Sequence, residues 1–171
     1  ESRLLLKDGT FRQERTRLRM LERFAAWGIP ERRIDLRYES SRPEHLATYN
    51  EIDVALDPIS QSGGATTLEA TWMGTPSVVM NARDGRLVSR ISASSVTAAG
   101  HPEWAAEDAE AYVRIAGELV GSGGAHLRAG GYRRLEAKAS AQAAWSGSTS
   151  KTSPGRWPSM ALVCATRTRM R

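Results

Sequence analysis

Cysteine occurs once in 171 residues, at Cys164, so no disulfide framework can hold this chain together and a hydrophobic core must do so. No apolar run approaches the roughly 18 residues of a membrane span, and no basic-then-apolar leader pattern is present, which sets the expectation of a soluble protein in a reducing, cytoplasmic setting. His45, His101, His126 and Cys164 share no ligand spacing, so a zinc centre is not expected. Neither Gly-x-Gly-x-x-Gly nor a Gly-Lys-Ser/Thr loop occurs, and no Ser-His-Asp or Cys-His constellation can be assembled. Acidic residues are missing from one stretch altogether. Residues 1–145 hold 19 basic and 19 acidic side chains, whereas 146–171 adds Lys151, Arg156, Arg167, Arg169 and Arg171 with no acid, so the net charge of +5 belongs to that end.

That asymmetry marks a boundary. Residues 1–145 read as one domain, and 146–171, opening on Ser-Gly-Ser-Thr-Ser-Lys-Thr-Ser-Pro-Gly, reads as a basic, disordered or loosely attached tail. Two alternatives stay open: a basic arm for nucleic acid or acidic lipid, disfavoured because aromatic and Arg residues are not interleaved, and a segment out of register with the ancestral reading frame. The start on Glu1, directly before an apolar run, reads as a piece of a longer protein.

Within 1–145 the apolar pattern alternates between two periods. Leu4-Leu5-Leu6 reads as a buried strand, and Leu18, Leu21, Phe24 and Ala25 share one helix face ended by Gly28. Ile34, Leu36 and Tyr38 alternate as a strand; Ser40 or Ser41 then caps a helix with Pro43 and Glu44 in its first turn. Ile52–Asp57 reads as a central strand, 59–64 as a loop, Ala65–Met73 as a helix closed by Gly74, and Ser77–Met80 as another strand. Further helices are expected at Leu87–Val96, Asp108–Val120 and Leu127–Ala144. Strands and helices alternating at 20–25 residues predict an α/β fold: a Rossmann-like open parallel sheet with helices on both faces.

In such a sheet, ligands gather beyond the carboxyl ends of the strands, where the 57–65 loop falls. Gly63-Gly64 permits close backbone approach, and the amides opening the next helix, beside Thr66 and Thr67, suit phosphate oxygens. Structural glycines in a strand-to-helix turn would look the same. Glu69, one turn further on, could accept hydrogen bonds from both hydroxyls of a ribose. Asp57, before Pro58, reads as a cap for the turn rather than a base. Trp72 and Met73 read as core beneath it.

The longer phrase is more specific. Glu44-His45-Leu46, Asp53–Pro58, Gly63-Gly64-Ala65-Thr66-Thr67-Leu68-Glu69-Ala70, Trp72-Met73-Gly74-Thr75-Pro76 and Ser89-Arg90-Ile91 together resemble the C-terminal catalytic half of the O-linked N-acetylglucosamine transferase family, bacterial type, over roughly Arg3 to Val120. The resemblance implies the donor-binding half of a GT-B glycosyltransferase, with UDP-N-acetylglucosamine as substrate, no metal or other cofactor, and a protein acceptor reached through regions absent here. It places Arg42 and His45 on the uracil, Gly63, Gly64, Thr66 and Thr67 on the pyrophosphate, and Glu69 on the ribose. It names no catalytic residue. Ser62 and Ala65 stand where bacterial members have Asn and a first Thr; an unreplaced hydroxyl to a charged phosphate would cost about 1.5–3 kcal/mol. Two functions follow: sugar transfer to Ser/Thr hydroxyls by the whole protein, with the isolated piece inactive, or a non-catalytic nucleotide-binding or interaction module with a decayed donor site.

Overall fold

The computed structural model describes residues 2–38, 40–59, 62–81, 87, 90–121 and 162–167. Strands β1 (Ser2–Lys7), β2 (Ile34–Arg37), β3 (Val54–Leu56), β4 (Ser77–Met80) and β5 (Ala105–Ala106) alternate with helices α1 (Glu14–Ala26), α2 (Arg42–Thr48), α3 (Ala65–Trp72), α4 (Ile91–Ala98) and α5 (Ala109–Gly121), and β6 (Leu162–Arg167) follows. The strand order is β2-β1-β6-β3-β4-β5. β1 runs parallel to β2, and β3, β4 and β5 run parallel in turn, while β6 is antiparallel to both β1 and β3. The first five strands therefore point one way, and Lys7, Arg37 and Leu56 end on the same sheet edge. The α/β, Rossmann-like expectation holds.

Side-chain alternation explains the layers, because successive strand residues face opposite sides. Leu6, Ile34 and Leu36 pack with Phe11 against Met20, Leu21 and Phe24 of α1. Leu5 and Ala55 face the other way, into Tyr49, Ile52, Ala70 and Met73 beside α2 and α3. Val54, Val78, Val79 and Met80 join Val96, Tyr112, Ile115 and Leu119 from α4 and α5. Each such buried aliphatic side chain stabilises the fold by about 1.5–3 kcal/mol relative to exposure.

Three expectations need correction. The tail reading of 146–171 fails at Leu162–Arg167, which lies inside the sheet with ladder partners on both sides, Cys164 opposite Leu5 and Ala55. The basic composition of the whole tail hides the short run Leu-Val-Cys-Ala, enough to complete a strand whose backbone groups are paired by its neighbours. Trp72 is 62% exposed, whereas Met73 is buried, because the last turn of α3 presents only one of two adjacent residues to the sheet. The helix expected from Leu87 begins at Ile91. The helix expected at 127–144 and the rest of the tail lie outside the described residues. Among those residues, no helix is long and apolar enough to cross a membrane, and no group of three His, Cys, Asp or Glu could hold a metal ion.

Candidate functional site

Two side-chain clusters sit at the carboxyl edge of the sheet. The first begins with α2, whose start is fixed by a reciprocal cap. The Ser41 N–H donates to Glu44 Oε2 at 2.8 Å and the Glu44 N–H to Ser41 Oγ at 3.4 Å, with Pro43 in the first turn. Ser41 is thus the cap, between the two serines the sequence offered. Arg42 and His45, three residues apart, project from one side of this helix onto Glu69 of α3. Arg42 Nη1 donates to Glu69 Oε1, and His45 Nε2 lies 2.9 Å from Glu69 Oε2. A carboxylate only accepts, so His45 carries its proton on Nε2 here. The hydroxyl of Tyr49, one turn beyond His45, lies 3.1 Å from the Thr66 carbonyl and 3.3 Å from Glu69 Oε2. Burial by itself pushes the Glu69 carboxyl up; hydrogen bonds from His45 and Arg42, with their charge, outweigh it and hold the group below the ordinary Glu value.

The second cluster builds the glycine turn. Asp57 Oδ1 accepts the Gly63 N–H at 2.7 Å and the Thr67 hydroxyl at 3.0 Å, as a cap of the turn should. Ser92, at the start of α4, closes the other side: its Oγ accepts the Gly64 N–H at 3.3 Å and lies 2.8 Å from Thr67 Oγ1 and 2.5 Å from Ser62 Oγ. Since Thr67 gives its proton to Asp57, and Ser62 Oγ accepts the Ser92 N–H at 2.7 Å, the hydroxyl protons run in one direction, from Ser62 to Ser92 to Thr67 to the carboxylate. Burial pushes the Asp57 carboxyl above the ordinary Asp value, and these hydrogen bonds oppose that rise only in part. The Asp57 carbonyl also accepts the Tyr112 hydroxyl at 2.7 Å, tying the turn to α5.

The two glycines serve different needs. A Cβ on Gly63 would stand 2.5 Å from both Asp57 Oδ1 and Thr66 Oγ1, so the position needs space. Gly64 has room around it but holds φ at +54°, which side chains rarely tolerate. Together they bend the chain into the first turn of α3.

The structure thus groups the expected site residues in two. Arg42, His45 and Glu69 converge on one another from two helices. Gly63, Gly64, Thr66 and Thr67 converge on the turn, where both glycine N–H groups and both threonine hydroxyls bond inward, Thr66 Oγ1 donating to the Gly63 carbonyl at 3.0 Å. No described residue accepts from the N–H groups of Ala65 and Thr67, which leaves those two donors at the helix start. Sequence reasoning missed Tyr49 and Ser92. Tyr49 follows His45 at helical spacing and was findable; Ser92 lies 30 residues from Ser62 and gave no local signal.

The comparisons with known proteins place the chain among glycosyltransferases. A family model described as glycosyl transferase family 41 matches residues 13–142. A UDP-N-acetylglucosamine–peptide N-acetylglucosaminyltransferase of Caenorhabditis elegans is 34% identical over 100 residues, 58% of this chain and 8% of that protein. The probable enzyme of the same description named SPINDLY, from Eustoma exaltatum subsp. russellianum, is 29% identical over 120 residues, 70% of this chain and 13% of that protein. Among solved structures, a K341M mutant of the Thermobaculum terrenum O-GlcNAc transferase superposes with a TM-score of 0.61 at 30% identity, covering 78% of this chain and 28% of that one. The chain spans about a tenth of the length of these curated relatives.

Proposed function

The chain belongs to glycosyl transferase family 41, and we propose that its Arg42–His45–Glu69 cluster, with the start of α3, holds the nucleoside diphosphate of a UDP-N-acetylglucosamine donor. One observation carries this: residues from two helices, 24 and 27 positions apart in sequence, meet on one partly buried carboxylate one turn from a helix N-terminus. In this reading Glu69 receives a ribose hydroxyl, the His45 ring and Arg42 line the base, and the N–H groups of Ala65 and Thr67 face the pyrophosphate. Asp57 and Ser92 act one step back by fixing the turn.

In the whole protein the proposed reaction transfers the sugar to a Ser or Thr hydroxyl of a protein acceptor with inversion. The part of these residues is electrostatic. As the bond to the sugar breaks, charge grows on the departing UDP, and donors already aimed at it stabilise that state more than the ground state. The cytoplasm is the proposed location and no metal is invoked. The module reading, in which Ser62 and Ala65 mark decay, loses half its support, because Ser62 is bonded into the turn through Ser92. Calorimetric titration of the chain with UDP tests the proposal. Saturable binding that an Arg42→Ala, His45→Ala double variant weakens at least about tenfold supports it; no saturable heat at millimolar UDP, or equal binding by the variant, overturns it.

A further inference from the structure

Helix α3 meets neighbours on three sides. Ala70 and Met73 pack onto the sheet with Leu5 and Ala55, Glu69 turns to Arg42 and His45 of α2, and Thr67 meets Ser92 of α4. The fourth side faces outward and carries Ala65, Leu68 and Trp72, three and four residues apart and so on one stripe. Leu68 is 55% exposed and Trp72 62%. The outer side of a surface helix is ordinarily polar, and a helix that is apolar on its outer side as well as its inner one is ordinarily covered on both. The single charged residue of α3 is Glu69, spent on α2. Helix α4 continues the pattern. It contains no charged residue, Arg90 just before it stands at the carboxyl edge of the sheet, and Ile91, Ser94 and Ala98 are exposed along one side.

Charge and shape say what fits there. Ions are depleted at the cores of interfaces, where they would lose their hydration. Helix α1 exposes Arg15, Arg19 and Arg23, and α5 exposes Glu110, Arg114 and Glu118, whereas the outer side of α3 and α4 exposes no ion. A two-fold axis sets a face against its own copy, and an uncharged face meets itself without like-charge repulsion. The ridge of Leu68 and Trp72 also lies beside the small side chains Ser94 and Ala98, so one face offers both a knob and a hollow for it. We infer that α3 and α4 form a self-complementary interface through which two copies of this chain pair, Trp72 of each resting on Ser94 and Ala98 of the other. The pairing uses the outer sides of the helices and stands independently of the donor reading. Two helices of eight residues, each about 12 Å long and about 9 Å apart, offer on the order of 400 Å² per copy, half of a standard interface, so the dimer is a weak one with a Kd of the order of 100 µM.

The test is sedimentation equilibrium of the intact 171-residue chain from about 5 µM to about 1 mM, in the natural sequence and in Trp72→Ser, Ser94→Arg and Trp27→Ser. The natural sequence should show a monomer–dimer equilibrium that stops at two copies. Removing the knob in Trp72→Ser, or filling the hollow in Ser94→Arg, should each weaken it at least about tenfold. Trp27, 85% exposed at the end of α1, lies off the face, and its variant should pair as the natural sequence does. All three positions are exposed, so the variants keep the fold, which circular dichroism checks. A chain that stays monomeric up to the highest concentration overturns the inference and assigns the cover of α3 to some other surface. Association that survives both face variants, that Trp27→Ser abolishes, or that runs on beyond two copies overturns it as well.

Discussion

Glu69→Gln is the perturbation that the site geometry makes most quantitative. Gln keeps the shape of Glu but replaces one acceptor oxygen with an amide NH2, which would face Arg42 or the protonated His45 Nε2, donor against donor. A hydrogen bond to a charged group contributes about 1.5–3 kcal/mol. The Arg42 side chain is 32% exposed, so water screens its share, and about 1 kcal/mol is the reasonable figure there. His45 is more enclosed, and adds about 1 kcal/mol more. The substitution should therefore cost about 2 kcal/mol, which for a domain of this size moves the urea midpoint down by roughly 1 M.

The pH dependence gives this prediction its edge. The Glu69 carboxyl is held below the ordinary Glu value of 4.5, so its contribution is fully present above that value and is lost as pH falls through the lower folded value. Urea unfolding of both proteins, followed by circular dichroism at pH 7 and again near pH 3, should show the gap at pH 7 and its closure in acid. Asp57 has the opposite sign. Its raised folded pKa means stability that is present below the ordinary Asp value and lost as pH rises through the folded one. That effect is shared by both proteins and cancels in the difference. A gap of the same size at both pH values, or no gap at pH 7, would refute the reasoning, because either outcome would mean that the ionised carboxylate does not stabilise the pair of helices.

Two further substitutions probe the packing. Gly63→Ala should destabilise by about 1–3 kcal/mol as the methyl group meets the Asp57 carboxylate, and Asp57→Ala in the same chain should recover part of that loss in thermal unfolding. Ser77 buries a hydroxyl that lacks a partner among the described residues; Ser77→Ala should be neutral or raise stability by up to about 1 kcal/mol, read as an unchanged or higher midpoint in urea.

Much of the fold was legible because its signals are local. The alternation in Ile34-Asp35-Leu36 and the closing Gly28 and Gly74 each state their structure within a few residues, and β2, the end of α1 and the end of α3 fall where they indicate. β6 was not legible: its place depends on a gap between β1 and β3, which no window around Leu162 contains. The site divided along the same line. Arg42, His45 and Glu69 were readable through family resemblance, and their convergence needed only the two helices to pack side by side. The inward bonding of Thr67 was not, since its outcome depended on Ser92, brought in from α4.

That inward bonding changes how a ribose would be held. A carboxylate offers about four lone-pair positions, and Glu69 already uses three, for Arg42, His45 and Tyr49. Two vicinal hydroxyls need two positions, so bidentate binding requires one partner to withdraw. Arg42 is held to Glu69 by charge and His45 by a 2.9 Å hydrogen bond, and parting either would leave the carboxylate poorly compensated. Tyr49 is different: its contact with Glu69, at 3.3 Å, is longer than the 2.9 Å contact of His45, and its hydroxyl has a second acceptor in the Thr66 carbonyl at 3.1 Å. It can yield its position without leaving a buried hydroxyl unpaired. The Thr66 carbonyl belongs to the first turn of α3, so the same shift would tighten Tyr49 onto the helix whose first amides, in the proposed reading, face the pyrophosphate. In the proposed donor complex, ribose and phosphate contacts would in this way be coupled through one tyrosine that lies one helical turn from His45.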